Sequence, residues 1–235
     1  APEGCVLVDA DYSQIELRLL AHIAGDAEMQ AAFRSGADFH TVTASRVFHV
    51  PPEEVTPEMR RRAKAVNFGI VYGISAFSLA QDIGVSVAEA KAYMERYFET
   101  YQGVRQYMTD VVAKAEQDGY VQTLMHRRRA LPELKSSNFN LREFGKRVAL
   151  NMPVQGTAAD IMKLAMVRVH RRLKREGLRA RLLMQVHDEL IVECPASERE
   201  QVERLLTEEM EQAASLSVPL IAEAHSGKNW LAAKE

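Results

Sequence analysis

Apolar runs of strand length stand near the two ends of the chain, and helix-period patterns fill what lies between them. Residues 5–11, CVLVDAD, read as a strand with Val6 and Val8 on one face and Leu7 on the other. By the two-residue period Asp9 and Asp11 share a face at its far end. Ser13 is placed to cap the following helix, with Glu16 three residues on as a capping-box partner. Residues 15–50 are expected to be mostly helical, broken near Gly25-Asp26 and Gly36, and Pro51-Pro52 forces a loop. Thr56 and Pro57 then supply the N-cap and first residue of PEMRRRAKAVNFGIVYG, which Gly73 stops. Residues 75–120 continue helical, with one start marked at Val85-Ser86, and residues 119–134 read as a short hairpin region carrying arginines. From 141 to 176 a long helix is expected, interrupted at Pro153, restarted from Gly156 and ended by Gly177. ARLLMQVHDELIVECP follows as two strands meeting at His187-Asp188-Glu189, so apolar that both faces of each should be buried. A helix from about Ser197 and a last strand near Pro219–Ala224 complete the pattern. The predicted class is α+β: strands tipped with acids, interrupted by a large helical insert.

Composition narrows this little. At 235 residues and 47% hydrophobic, the chain can bury a real core, and disorder is excluded. Cys5 and Cys194 are too few for a disulfide framework and lack metal-ligand spacing, so a reducing, cytoplasmic setting is expected. No apolar run approaches the roughly 18 residues of a membrane span. The start APEGCVLV has no initiator Met and no leader pattern, so a piece of a longer chain is expected. A net charge of −2 argues on average against a nucleic-acid partner, yet the cations are bunched in Arg60–Lys64, His126–Arg129 and His170–Arg175. Taken singly, each such run is most simply a solvated helix face.

Two constellations point to chemistry. In the helix from Pro57, the side chains of Arg60, Lys64, Phe68 and Tyr72 recur every four residues, a slowly winding stripe about 18 Å long. Facing a core, it would misplace two cations; facing solvent, it would misplace Phe68. A surface for a ligand with phosphates at one end and a flat ring at the other suits it, against the plainer reading of an ordinary amphipathic helix. Separately, Asp11 and Asp188 stand at the ends of strands that could be neighbours. Paired carboxylates there could hold two Mg²⁺ ions about 4 Å apart for phosphoryl displacement.

DYSQIELR (Asp11 to Arg18), RRRAKAVNFGIVYG (Arg60 to Gly73) and QVHDE (Gln185 to Glu189) resemble, in order and separation, the three signature motifs of family A DNA polymerases. NMPVQGTAAD (Asn151 to Asp160) resembles a fourth shared segment, and the likeness covers essentially the whole chain. It implies a small antiparallel palm sheet with a large helical fingers insertion: palm over 1–20, fingers over 21–140, palm again over 141–235. Carried over by residue, it implies that Asp11 and Asp188, with the Tyr12 carbonyl, bind two Mg²⁺ ions and that Glu189 sits beside the primer end. Arg60, Lys64 and His40 would contact the triphosphate, and Phe68 would pack on sugar and base. Gln14 would lie at the nucleotide, and Glu16 would exclude a ribose 2′-hydroxyl. Tyr72 would stand at the templating position beside Gly73, while Arg147, Asn151, Gln155 and His187 would touch template or primer. Lys64 would also donate a proton to pyrophosphate.

The implied function is template-directed DNA synthesis from dNTPs on primer-template DNA, by a bacterial, nucleoid-associated monomer lacking its thumb, exonuclease domains and missing N-terminal part. Asp9, on the metal strand, is expected to be structural or solvent-facing. A two-metal nuclease is the competing enzyme reading, but it has no use for a cationic stripe topped by Phe68. A fragment that binds primer-template without activity of its own is the non-enzymatic one.

Overall fold

The computed structural model describes residues 1–234. In chain order the regular elements are β1 (Cys5–Tyr12), α1 (Ile15–Ile23), α2 (Ala27–Arg34), α3 (Phe39–Phe48), α4 (Pro57–Val71), α5 (Ala76–Ile83), α6 (Val87–Thr100), α7 (Gln102–Asp118), β2 (Tyr120–Gln122), β3 (Arg128–Ala130), α8 (Phe139–Arg175), β4 (Arg181–Val186), β5 (Glu189–Pro195), α9 (Arg199–Glu211) and β6 (Ala222–Gly227). They form two compact units, Ala1–Ile15 with the chain from Ala158 on, and Glu16–Thr157. The class is α+β, as the pattern predicts.

The first unit is built on an antiparallel sheet of order β4-β5-β1-β6. β1 is interior, and Val8, Ala10 and Tyr12 are buried. The Tyr12 hydroxyl donates to the Met210 carbonyl of α9 at 2.7 Å, so this side chain anchors the strand to the helix that packs on the sheet. Asp11 pairs with Glu189 across β1 and β5, and the Tyr12 N–H donates to the Asp188 carbonyl at 3.1 Å. Backbone pairing therefore brings the β4–β5 turn to the tip of β1.

Three expectations change here. β5 is buried on both faces, but β4 is the sheet edge, where Leu183 and Met184 remain 44% and 46% exposed. Hydrophobicity alone does not reveal that a strand is an edge, and an irregularity between Leu182 and Met184 further loosens β4 from its neighbour. The last strand lies three residues later than expected, because its partners are Leu7 to Tyr12 of β1 and Pro219 has no N–H to offer a ladder. Lastly, α1 begins at Ile15, and the Glu16 carboxylate accepts from Tyr72 instead of closing a capping box.

The second unit is helical apart from the β2–β3 hairpin. Thr56 caps α4 through the Met59 N–H with Pro57 at its first position, and Ser86 and Glu89 form a reciprocal capping box on α6. Asp26 caps α2 through one oxygen and takes the Gly103 N–H on the other at 2.8 Å, which ties α2 to the start of α7. Ala115, Val121, Leu131, Leu134 and Ala149 form a core around the hairpin.

α8 runs through Pro153 without the expected interruption. Proline removes one helix hydrogen bond and costs about 3 kcal/mol. Ala149, Val154 and Thr157 are buried on the turns around it, which opposes that loss. The Thr157 hydroxyl donates to the Pro153 carbonyl and accepts the Leu124 N–H at 3.0 Å.

Candidate active site

In the sheet unit, strand register determines which acids meet. Asp11 stands at the surface end of β1, Asp188 in the β4–β5 turn beside it, and Glu189, 5% exposed, opposite Asp11 on β5. The Asp11 carboxyl is pushed up to about 7, first by desolvation in this crowd and then by repulsion from Asp188, Glu189 and Asp9, with Lys234 opposing. Asp188 is likewise raised, chiefly by burial.

Asp9 is not solvent-facing. It is 4% exposed, its Oδ2 accepts the Trp230 indole N–H at 2.9 Å, and its Oδ1 is enclosed without a hydrogen-bond partner. Burial first, then Glu189, raises its pKa. Lys234 donates to Glu189 Oε2 at 2.5 Å and lies over the Trp230 ring at 5.3 Å. Trp230 and Lys234 are thus parts of the acidic face that the sequence reading missed. They lie 221 and 45 residues from their partners, and no local pattern announces such contacts.

The acids at this tip offer oxygen donors and repel one another, with His187 and His225 near enough to act on Asp188 and Asp9. Such a face suits a hard divalent cation such as Mg²⁺. Among the described residues no three His, Cys, Asp or Glu side chains form a ready ligand cluster. Asp11 and Asp188 are the carboxylates at this tip that could hold such an ion. The Tyr12 side chain turns away into the core.

In the helical unit the four-residue stripe of α4 lies at the surface: Arg60, Lys64 and Tyr72 are exposed and Phe68 half-buried. His40 of α3 joins it, with its ring centroid 5.8 Å from that of Phe68. Burial, reinforced by Arg60 and Lys64 against the opposing pull of Asp38, brings His40 down to about 4. Arg60 grips Asp38 through two bonds, of 2.7 and 3.1 Å, while Asp38 also caps α3 through the Thr41 N–H. Both contacts hold the Asp38 carboxyl down to about 2 despite its burial.

At the end of the stripe the Tyr72 hydroxyl donates to Glu16 Oε2 at 2.6 Å. A cavity of about 480 Å³ opens there, lined by Phe68, Tyr72, Gly73, Asp82 and Arg147 among others. Gly73 adopts φ +66°, and a Cβ on it would come within 3.0 Å of Leu150 and 3.4 Å of Arg147. Only glycine suits both that backbone and that approach. Arg147, Asn151 and Gln155 recur every four residues on α8, with Asn151 Oδ1 enclosed and unpartnered.

The remaining two expected residues belong to the sheet unit. Half-buried Gln14 precedes α1 with φ +55°, and exposed His187 sits at φ +48° in the β4–β5 turn, its carbonyl accepting from Gln185 at 2.6 Å.

Comparison with known proteins agrees with the motifs. The family model described as DNA polymerase family A matches residues 1–232. DNA polymerase I of Bacillus caldotenax is 57% identical over 96% of this chain and 26% of its own length, and that of Streptococcus pneumoniae (strain TIGR4) is 51% identical over 99% and 27%. The chain spans about a quarter of the length of these curated relatives. Among solved structures, the POL domain of Pol1 from M. smegmatis, in complex with DNA primer-template and dNTP, superposes with a TM-score of 0.95 at 50% identity, over 99% of this chain and 41% of that one. A family match along nearly the whole chain, carried by relatives at half identity or more, makes this chain a member of DNA polymerase family A.

Proposed function

We propose that the chain supplies the palm and fingers chemistry of template-directed DNA synthesis, with residues 1–20 and 141–235 as palm and 21–140 as fingers. The observation that carries this reading is the β1–β5 register, which sets Asp11 beside the Asp188 turn on a face of crowded carboxylates. Asp11 and Asp188, with the Tyr12 carbonyl, would hold two Mg²⁺ ions. When bound, these make the primer 3′-hydroxyl more acidic and neutralise charge on the triphosphate.

The chain's own residues bind and orient. Arg60 exchanges Asp38 for a phosphate oxygen, Lys64 and His40 donate to others, and Phe68 stacks on sugar and base. As the primer hydroxyl gives up its proton to water and its oxygen bonds to the α-phosphorus, the bridging P–O bond breaks and Lys64 passes its proton to the departing pyrophosphate. Glu16, braced by Tyr72, fills the space where a ribose 2′-hydroxyl would sit, with Gln14 beside it. Glu189 steadies the primer end. Tyr72, Gly73, Arg147, Asn151, Gln155 and His187 line the template and primer, so DNA affinity should fall with salt. The partners are primer-template DNA, dNTPs and the remainder of a parent polymerase, in a monomer at the bacterial nucleoid.

Single-nucleotide extension of a labelled primer-template with Mg²⁺ tests this reading, using the chain alone, the chain supplemented with the rest of a parent polymerase, and Asp11→Ala in both settings. Templated extension lost in the variant is the expected result. No extension from folded, supplemented protein would leave DNA binding as the function.

A further inference from the structure

His40 sits at the end of a chain of buried polar side chains that neither metal binding nor base stacking uses. Tyr101, Thr43, Asn67 and His40 are each between 0% and 3% exposed. The Tyr101 hydroxyl and Thr43 Oγ1 lie 3.1 Å apart, Thr43 Oγ1 donates to Asn67 Oδ1 at 3.1 Å, and Asn67 Nδ2 is 2.9 Å from His40 Nδ1. These residues come from α3, α4 and the α6–α7 junction.

Counting hydrogens gives the chain one direction. Thr43 has a single hydroxyl hydrogen, and it is committed to Asn67, so Tyr101 must donate to Thr43. Asn67 Oδ1 is then occupied as acceptor, and its amide N–H is what faces His40. An imidazole nitrogen that accepts carries no hydrogen, so in an uncharged ring the hydrogen is on Nε2. The reverse direction would have Thr43 donate to Tyr101, leaving the Tyr101 hydroxyl hydrogen, in a residue 1% exposed, with no acceptor among the described residues. Nε2 itself has no partner among those residues and is not one of the enclosed unpartnered polar atoms, so it is open to a ligand. Arg60, Lys64 and Asp38 are the charged groups acting on the ring.

We infer that Asn67, oriented by Thr43 and Tyr101, is a positioning residue that holds His40 in the Nε2–H tautomer and so makes it a fixed donor toward the incoming triphosphate. Only the identity of that ligand rests on the function proposed above. The tautomer is a property of the chain itself.

The test is a long-range ¹H–¹⁵N correlation spectrum of the histidine-labelled 235-residue chain without substrate, with the His40 signal identified by its loss in His40→Gln. Nδ1 should resonate as an unprotonated nitrogen and Nε2 as a protonated one. Asn67→Asp, which offers only acceptor oxygens, should move the hydrogen to Nδ1. Thr43→Val, which removes one hydroxyl at nearly constant volume, should give a mixture and serves if the Asp variant does not fold. A wild-type ring protonated on Nδ1, or already mixed, overturns the inference. In supplemented polymerase, Asn67→Asp should then raise the KM for dNTP about tenfold with little change in kcat, as for losing one hydrogen bond to a charged group. An expected spectrum with KM unchanged in both Asn67→Asp and His40→Gln would leave the tautomer standing and remove His40 from the triphosphate.

Discussion

Replacing Asp11 by Asn should stabilise the fold while abolishing nucleotide incorporation. The Asp11 carboxylate takes no side-chain hydrogen bond or ion pair from the described residues, so the nearly isosteric amide forfeits no contact. What it removes is charge from an acidic face. The rise from 3.8 to about 7 would amount, unscreened, to about 4 kcal/mol. Asp11 stands in water at the surface, and screening leaves about 1 kcal/mol of that. For a chain of this size the gain in Tm is about 2–4 °C.

The sign with pH follows from which state holds the proton more tightly. A carboxyl raised in the folded protein costs nothing while both states are protonated, below about pH 4. The cost grows as pH climbs from the unfolded value of 3.8 to the folded value of about 7, and it is complete above that. Thermal unfolding in EDTA should therefore show the variant ahead of wild type at pH 8 and level with it near pH 4. Millimolar Mg²⁺ should then stabilise wild type and not the variant. A variant less stable than wild type at pH 8, or one whose advantage persists at pH 4, would refute the crowded-acid account of this face.

Three further outcomes test the helical unit. Glu16→Ala should weaken rejection of ribonucleotides by about 10²-fold, the scale on which a pocket separates substrates by one small group, read as the ratio of kcat/KM for dNTP and rNTP; a variant that still rejects them removes Glu16 from the gate. Phe68→Tyr should ease dideoxynucleotide incorporation by offering a hydroxyl where the missing 3′-hydroxyl would be, and unchanged discrimination in a competition assay counts against Phe68 at the sugar. Asp38→Ala should cost about 1 kcal/mol through loss of the α3 cap, measured by denaturant unfolding, and should lower the KM for dNTP because Arg60 no longer has to leave Asp38 to reach a phosphate.

Features encoded within a few residues were legible in the sequence. The caps at Thr56 and Ser86, the stop at Gly73, the α4 stripe and the acid-tipped strands all follow from spacing and side-chain chemistry. Contacts between distant positions were not. Asp9 reads as a polar residue on a strand end, and only the fold lays Trp230 over it. Arg60 reads as a free cation, yet it is held by Asp38 of another helix. Pro153 reads as a break because local rules count the lost hydrogen bond but not the burial on the turns around it. β4 reads as buried because hydrophobicity reports no neighbours.

The interior position of β1 makes its length a stricter constraint than its composition. Pairing with β5 on one side and β6 on the other admits many apolar residues at Val6, Leu7 or Val8, but only one count between Cys5 and Tyr12. Inserting or deleting a single residue there would exchange the two faces, turning the Asp11 charge into the core and the Tyr12 phenol into water. The loop around Pro51, bounded by α3 and α4, has no such parity to keep. Natural variation in this chain should therefore show substitutions but no length changes along β1, with insertions and deletions gathering in segments such as 49–56.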